Sequence, residues 1–123
     1  MVMSRPKARG LVRGSGNMNR TEAAYAKTLE GEKHLGFIIG YWFEAINFRL
    51  GAKCYYRPDF LVQMADGTLQ IHEVKGFWQD DALVKIKVAA EQYPFIFVAV
   101  SKVKPKDGGG WSKRMFSPDG VVP

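Results

Sequence analysis

Two acids and a lysine stand apart in this sequence: Asp59 directly after Pro58, and Glu73 and Lys75 in the tripeptide Glu73-Val74-Lys75. Along an extended strand, residues two apart share a face, so Glu73 and Lys75 point one way and Val74 the other. Leu69 and Ile71 lie on the Glu73 face, so this strand runs from apolar packing into a charged end. If Asp59 stands beside Glu73, the two carboxylates repel, and one pKa rises unless a cation sits between them. Magnesium takes oxygen ligands in octahedral geometry, commonly one or two carboxylates with several waters retained. Asp59, Glu73 and the carbonyl of Val74 suit it as ligands, with Mn2+ a possible substitute for Mg2+. Such a metal polarises a phosphate oxygen and lowers the pKa of a bound water. Lys75 could then orient that water or stabilise charge building on the phosphorane. The plainer reading of the three residues is a surface ion pair at a strand end, which contributes little.

Whether Asp59 reaches Glu73 depends on one turn. A two-residue loop at Asp66-Gly67 pairs Ala65 with Thr68 and leaves Asp59 opposite Val74, on the wrong face. A three-residue loop, Ala65-Asp66-Gly67 with Gly67 left-handed, pairs Met64 with Thr68 and sets Asp59 opposite Glu73. X-Asp-Gly favours the longer loop with its bulge, so that register is expected.

The elements that must hold this turn follow from pattern. Asn19 is a favoured N-cap and Glu22 can complete a capping box, so a helix starts near Asn19, with Gly36 its terminator. Residues 37–43 and 46–50 read as strands, with a turn at 51–53. Residues 54–64 read as a further strand, interrupted by Pro58, which marks an edge or a bend. Residues 69–75 return as a strand, a helix runs from about 81 to 93 and stops at Pro94, and 95–100 is an apolar run typical of a strand buried on both faces. The strand–helix–strand unit over 69–100 predicts a parallel pair. The chain is therefore expected to be α/β in the order α-β-β-β-β-α-β, a mixed sheet flanked by helices. Residues 1–18 read as a flexible basic tail, 19–101 as the core, and 102–123 as a basic, Gly-rich tail that Trp111 and Phe116 could pin back onto the body.

Composition narrows the partners. Lys and Arg number 18 against 12 Asp and Glu, a net charge of +6 that suits a polyanion such as DNA. The single cysteine, Cys54, excludes an internal disulfide and a thiolate metal site; it is expected to pack within its strand. No signal-peptide pattern and no apolar run of membrane-spanning length are seen, so a cytoplasmic protein with no membrane partner is expected. His72 points away from Glu73 and reads as packed or surface-exposed rather than ligating, and His34 as a partner of the first helix's C-terminus. Lys85 and Lys87 on the second helix could contact phosphates or simply form its solvated face. Phe77 and Trp78, just after Gly76, could stack on a base, join a dimer interface or close the core; core closure is the simplest.

Pro58-Asp59, then Glu73-Val74-Lys75 after a hairpin, followed by helix and buried strand, resembles the PD-(D/E)XK nuclease superfamily over roughly residues 19–101. Within it, the chain resembles small phage-encoded endonucleases and Holliday-junction resolvases. The resemblance implies a restriction-endonuclease-like fold and a Mg2+-dependent DNA endonuclease with Asp59, Glu73 and Lys75 as catalytic residues. It further implies a branched DNA substrate, a homodimer and, for a phage-encoded chain, the bacterial host cytoplasm. Members often add an acid from the first helix; Glu22 is the candidate, on one stripe with Ala26 and Leu29, though it reads equally as the helix cap. Glu30 is a weaker alternative. A nucleic-acid-binding module that keeps this fold without cleaving is the rival reading, and a protein-interaction subunit a third.

Overall fold

Helix α1, Arg20–His34, begins where two side chains satisfy each other's backbone: Glu22 N–H donates to Asn19 Oδ1 at 2.8 Å and Asn19 N–H to Glu22 Oε1 at 2.9 Å. It ends at Gly36, whose φ of 84° lets the Gly36 and Phe37 N–H groups return to the carbonyls of Lys33 and Glu32. Asn19→Ala removes one half of the capping box. It is expected to cost about 1 kcal/mol, read as a fall of roughly 4–8 °C in melting temperature.

The computed structural model describes residues 17–122, without the side chains of 120–122. After α1 come β1 (Ile38–Phe43), β2 (Phe48–Gly51), β3 (Cys54–Tyr56), β4 (Phe60–Met64), β5 (Leu69–Lys75), α2 (Asp80–Gln92), β6 (Ile96–Lys102), β7 (Trp111–Ser117) and β8 (Gly120–Val122). Six strands form one mixed sheet in the order β1-β4-β5-β6-β7-β8, and β2 and β3 form a separate hairpin. β5 and β6 are parallel, as the strand–helix–strand unit required; all other neighbours are antiparallel. The chain is therefore α/β with a mixed sheet.

Alternation along β6 divides the core. Phe97 and Ala99 join Ile71, the α2 residues Ile86, Ala89 and Ala90, and Phe48 and Tyr56 of the small hairpin. Val98 and Val100 face the other way, onto Val62, Val74 and the α1 residues Tyr25 and Leu29. The helices thus cover opposite faces, and the four residues Phe97–Val100 are buried, as a central strand demands.

Three expectations need correction. The run 54–64 is two strands, because Pro58 bends the chain between them; β4 lies between β1 and β5, so the proline does not mark an edge. Residues 102–123 are not simply a tail: 111–117 pair with β6 along its whole length. Trp111 and Met115 pack toward α1 and Phe116 toward α2, an alternation that the intervening Lys113 and Arg114 obscured in sequence. Trp111 does pin this segment, donating its Nε1–H to Thr28 Oγ1 at 3.0 Å. Cys54 is exposed rather than packed. The basic segment 1–18 lies, apart from Asn17 and Met18, outside the described residues, and Met18 packs against the α1 core.

Candidate active site

The β4–β5 turn decides the site. Gly67 adopts φ 90°, its N–H donates to the Met64 carbonyl at 2.9 Å, and the Met64 N–H donates to the Thr68 carbonyl at 2.8 Å. Asp66 Oδ1 accepts from the Thr68 N–H and hydroxyl at 2.9 and 2.7 Å, which holds the loop and keeps the exposed Asp66 carboxyl below the usual range. This is the three-residue loop, and it pairs Gln63 with Leu69, Leu61 with Ile71 and Phe60 with His72. One step further, Asp59 meets Glu73.

The two carboxylates are tied into each other's backbone. Asp59 N–H donates to Glu73 Oε1 at 3.0 Å, and Val74 N–H donates to Asp59 Oδ2 at 2.8 Å. The Glu44 N–H holds the Asp59 carbonyl at 2.8 Å, fixing the bend after Pro58 from the β1 side. Tyr56, three residues before Asp59, donates its hydroxyl to Glu73 Oε1 at 3.3 Å. Lys75 Nζ stands 3.6 Å from Glu73 Oε2 and 6.0 Å from the Trp78 ring centroid. Each carboxylate therefore has one oxygen engaged by a backbone N–H and a second turned elsewhere.

Burial makes this pair unusual. Asp59 is 7% exposed, and its pKa is pushed up to about 8, first by desolvation and then by Glu73, against the opposing Val74 N–H. Glu73 is raised too, chiefly by burial, with Lys75, the Asp59 N–H and the Tyr56 hydroxyl pulling it back. Burial and the same two carboxylates push the Tyr56 phenol up in turn. Glu22 completes the helix cap with one oxygen, and its negative charge helps to raise Asp59 and Glu73.

Asp59, Glu73, Val74, Lys75 and Glu22 are thus brought together. Lys85 and Lys87 are exposed on α2, which begins five residues after Lys75. Glu30, the other acid considered on α1, instead accepts from the Tyr41 hydroxyl at 2.7 Å, and that contact together with burial holds the phenol up to about 12. His34 pairs with Glu30 at 3.6 Å. His72 is buried between Tyr25 and Gln70, away from the acids. Trp78 closes the α2 core and donates to the Val100 carbonyl at 2.9 Å, whereas its neighbour Phe77 is 77% exposed. The sequence reading missed Tyr56; its spacing from Asp59 across the bend was the available signal.

No protein-family description, curated protein or solved structure matches the chain.

The donor set fits a divalent cation that keeps much of its water. Among the described residues no three acids, histidines or cysteines are grouped so as to hold a metal ion. One or two carboxylates, with waters completing the shell, are what Mg2+ ordinarily takes from a protein. An adjacent acid pair with both pKa values raised is also the arrangement that a cation between the oxygens would relieve. In an antiparallel pair a residue turns its N–H and C=O to the same side. The Val74 carbonyl therefore faces the side on which Asp59 holds the Val74 N–H.

Proposed function

We propose that this chain is a Mg2+-dependent DNA endonuclease of the PD-(D/E)XK type, hydrolysing phosphodiester bonds at Asp59, Glu73 and Lys75. The observation that carries the reading is the Asp59–Glu73 pair, buried at Asp59 and half-buried at Glu73, interlocked through the Asp59 and Val74 N–H groups, with Lys75 two residues on. A structural ion pair has no need of two enclosed acids sharing one cation. Asp59, Glu73 and the Val74 carbonyl would hold the metal, which when bound supplies Lewis acidity and a lowered water pKa. Glu22 holds Asp59 from the α1 side. Lys75 is the group placed to orient the attacking water and to meet negative charge on the phosphorane. Tyr56 and the Asp59 N–H fix Glu73 Oε1, which leaves Oε2 toward Lys75.

The α1-to-β6 order, with its parallel β5–β6 pair, supports the restriction-endonuclease-like assignment. A branched DNA substrate and a homodimer belong to the same reading, since two symmetric cuts need two sites. Exposed Phe37, Ile39 and Trp42 on and beside the edge strand β1 offer a surface for that second copy. No helix among the described residues is long and apolar enough to cross a membrane, which accords with action on DNA in the cytoplasm.

The test incubates the protein with a labelled four-way junction, a flap, a linear duplex and a single strand, each in Mg2+, Mn2+ and EDTA. Cutting only with metal is expected, with the junction cut fastest. Binding without cutting under all three conditions would instead support the non-catalytic binding module. Lys75→Ala is expected to slow cutting about 10²–10³-fold, the loss typical of removing one charge-stabilising group. Its Mg2+ affinity, read by calorimetry, should stay near that of the unaltered protein.

A further inference from the structure

Lys75 pairs with Ser101 across the parallel β5–β6 ladder, so β6 leaves the sheet at the same end at which Glu73 and Lys75 stand. The residues that follow carry Lys102, Lys104 and Lys106. They do not trail away. Residues Pro105–Asp107 make a turn of 3-10 helix, and Gly108, Gly109 and Gly110 follow at φ 111°, 69° and 75°. Val103 N–H donates to the Gly110 carbonyl and Gly109 N–H to the Lys104 carbonyl, both at 3.0 Å. This closes the tip of the β6–β7 hairpin into one defined shape. Left-handed glycines make such a fold possible, since other residues are strained there.

All three lysines are exposed, and among the described residues none of them has an ion pair. Asp107 is the only acid between Lys102 and Trp111. The result is a shaped, uncompensated cationic tip beside a site whose own centre is anionic. An anionic centre repels a phosphate chain, so a nuclease built this way needs fixed positive charge next to its acids. Lys85 and Lys87 lie on α2, a helix that runs from this end toward the start of β6 at the other.

We propose that the β6–β7 hairpin tip is the element that seats the DNA backbone at the carboxylate pair, with Lys102, Lys104 and Lys106 contacting successive phosphates. The inference rests on the nuclease reading only in its choice of DNA as the polyanion; the binding it asserts does not require hydrolysis. Direct contacts of this kind release counterions, and each one removed lowers the salt slope of binding by about 0.9.

The test measures anisotropy of a fluorescent DNA duplex in EDTA, with salt raised from about 50 to 200 mM. The triple variant Lys102→Ala/Lys104→Ala/Lys106→Ala is expected to bind at least about ten-fold more weakly at the low salt, with a slope smaller by about 2.7. Lys102→Arg/Lys104→Arg/Lys106→Arg is expected to restore both, which excludes a folding defect. Lys85→Ala/Lys87→Ala is expected to keep the unaltered slope. A triple alanine variant with unaltered affinity and slope overturns the proposal, as does a native chain that binds no DNA. If the native chain binds and never cuts while the triple variant loses its slope, the hydrolytic reading fails and this one stands.

Discussion

Asp59→Asn is expected to abolish metal-dependent cleavage, by about 10³-fold or more, and at the same time to raise the melting temperature of the protein in EDTA. The two effects share one cause. Asp59 is buried beside Glu73 and Glu22, and burial and those neighbours push its carboxyl up to about 8. An acid whose folded pKa exceeds its unfolded value weakens the fold as pH rises from the unfolded value toward the folded one. At neutral pH the cost is on the order of 4 kcal/mol. Asparagine keeps the acceptor that Val74 N–H needs and presents an amide N–H toward Glu22, with no proton to hold. It removes the cost together with a metal oxygen whose charge the chemistry requires, and several kcal/mol of transition-state stabilisation go with it. Mg2+ should reverse the ranking: it stabilises the native chain by mass action and leaves the variant nearly unmoved. Thermal melts of both proteins in EDTA and in Mg2+ read this directly. A variant less stable than the native chain in EDTA would mean that the acid pair is structural.

The second large effect is acid sensitivity from His72. Its ring is 3% exposed, and with Gln70 Oε1 accepting from Nε2–H at 2.9 Å, Nδ1 accepts from the Tyr25 hydroxyl at 2.7 Å. Burial, aided by Lys113, lowers its pKa to about 3. Below 6.5 the unfolded chain therefore takes a proton that the folded chain refuses until about pH 3. Stability is full above 6.5 and is lost as pH falls through that window, by up to about 5 kcal/mol. Asp59 acts in the opposite sense between about 8 and its unfolded value, so the cleanest measurement is made on Asp59→Asn. Urea melts at pH 7, 5 and 4 should show a steep loss that Asp59→Asn/His72→Gln lacks. Parallel pH profiles for the two proteins would contradict a neutral buried imidazole.

How much of this was legible follows the range of each determinant. The Asp59–Glu73 pairing was readable because three adjacent residues, Ala65-Asp66-Gly67, set it, and a strand's period of two carries a turn's geometry back along both arms. The capping box and Gly36 were likewise local. The parallel β5–β6 pair followed from the intervening helix. β7 was not readable. Its lysine and arginine look like a solvated tail until Trp111, Met115 and Phe116 are seen packing on opposite faces, and the glycines before it belong to a formed hairpin. Cys54 sits on a small separate hairpin whose exposure depends on where β2 and β3 dock. Glu22 could not be divided between cap and site from sequence, because the α1 N-terminus nears Asp59 only through tertiary packing; the cap is formed, and its charge reaches Asp59. Lys85 and Lys87 were plausible by number alone, and both stand exposed on α2.

The measurement that bears most directly on the central claim is single-turnover cutting of a labelled DNA junction by the native chain and by Glu73→Gln, in Mg2+ and in EDTA, with DNA binding measured alongside. Cutting by the native chain in Mg2+ alone, lost in Glu73→Gln while binding persists, is the result the acid-pair account predicts. Equal cutting by both proteins, or cutting that continues in EDTA, would contradict it.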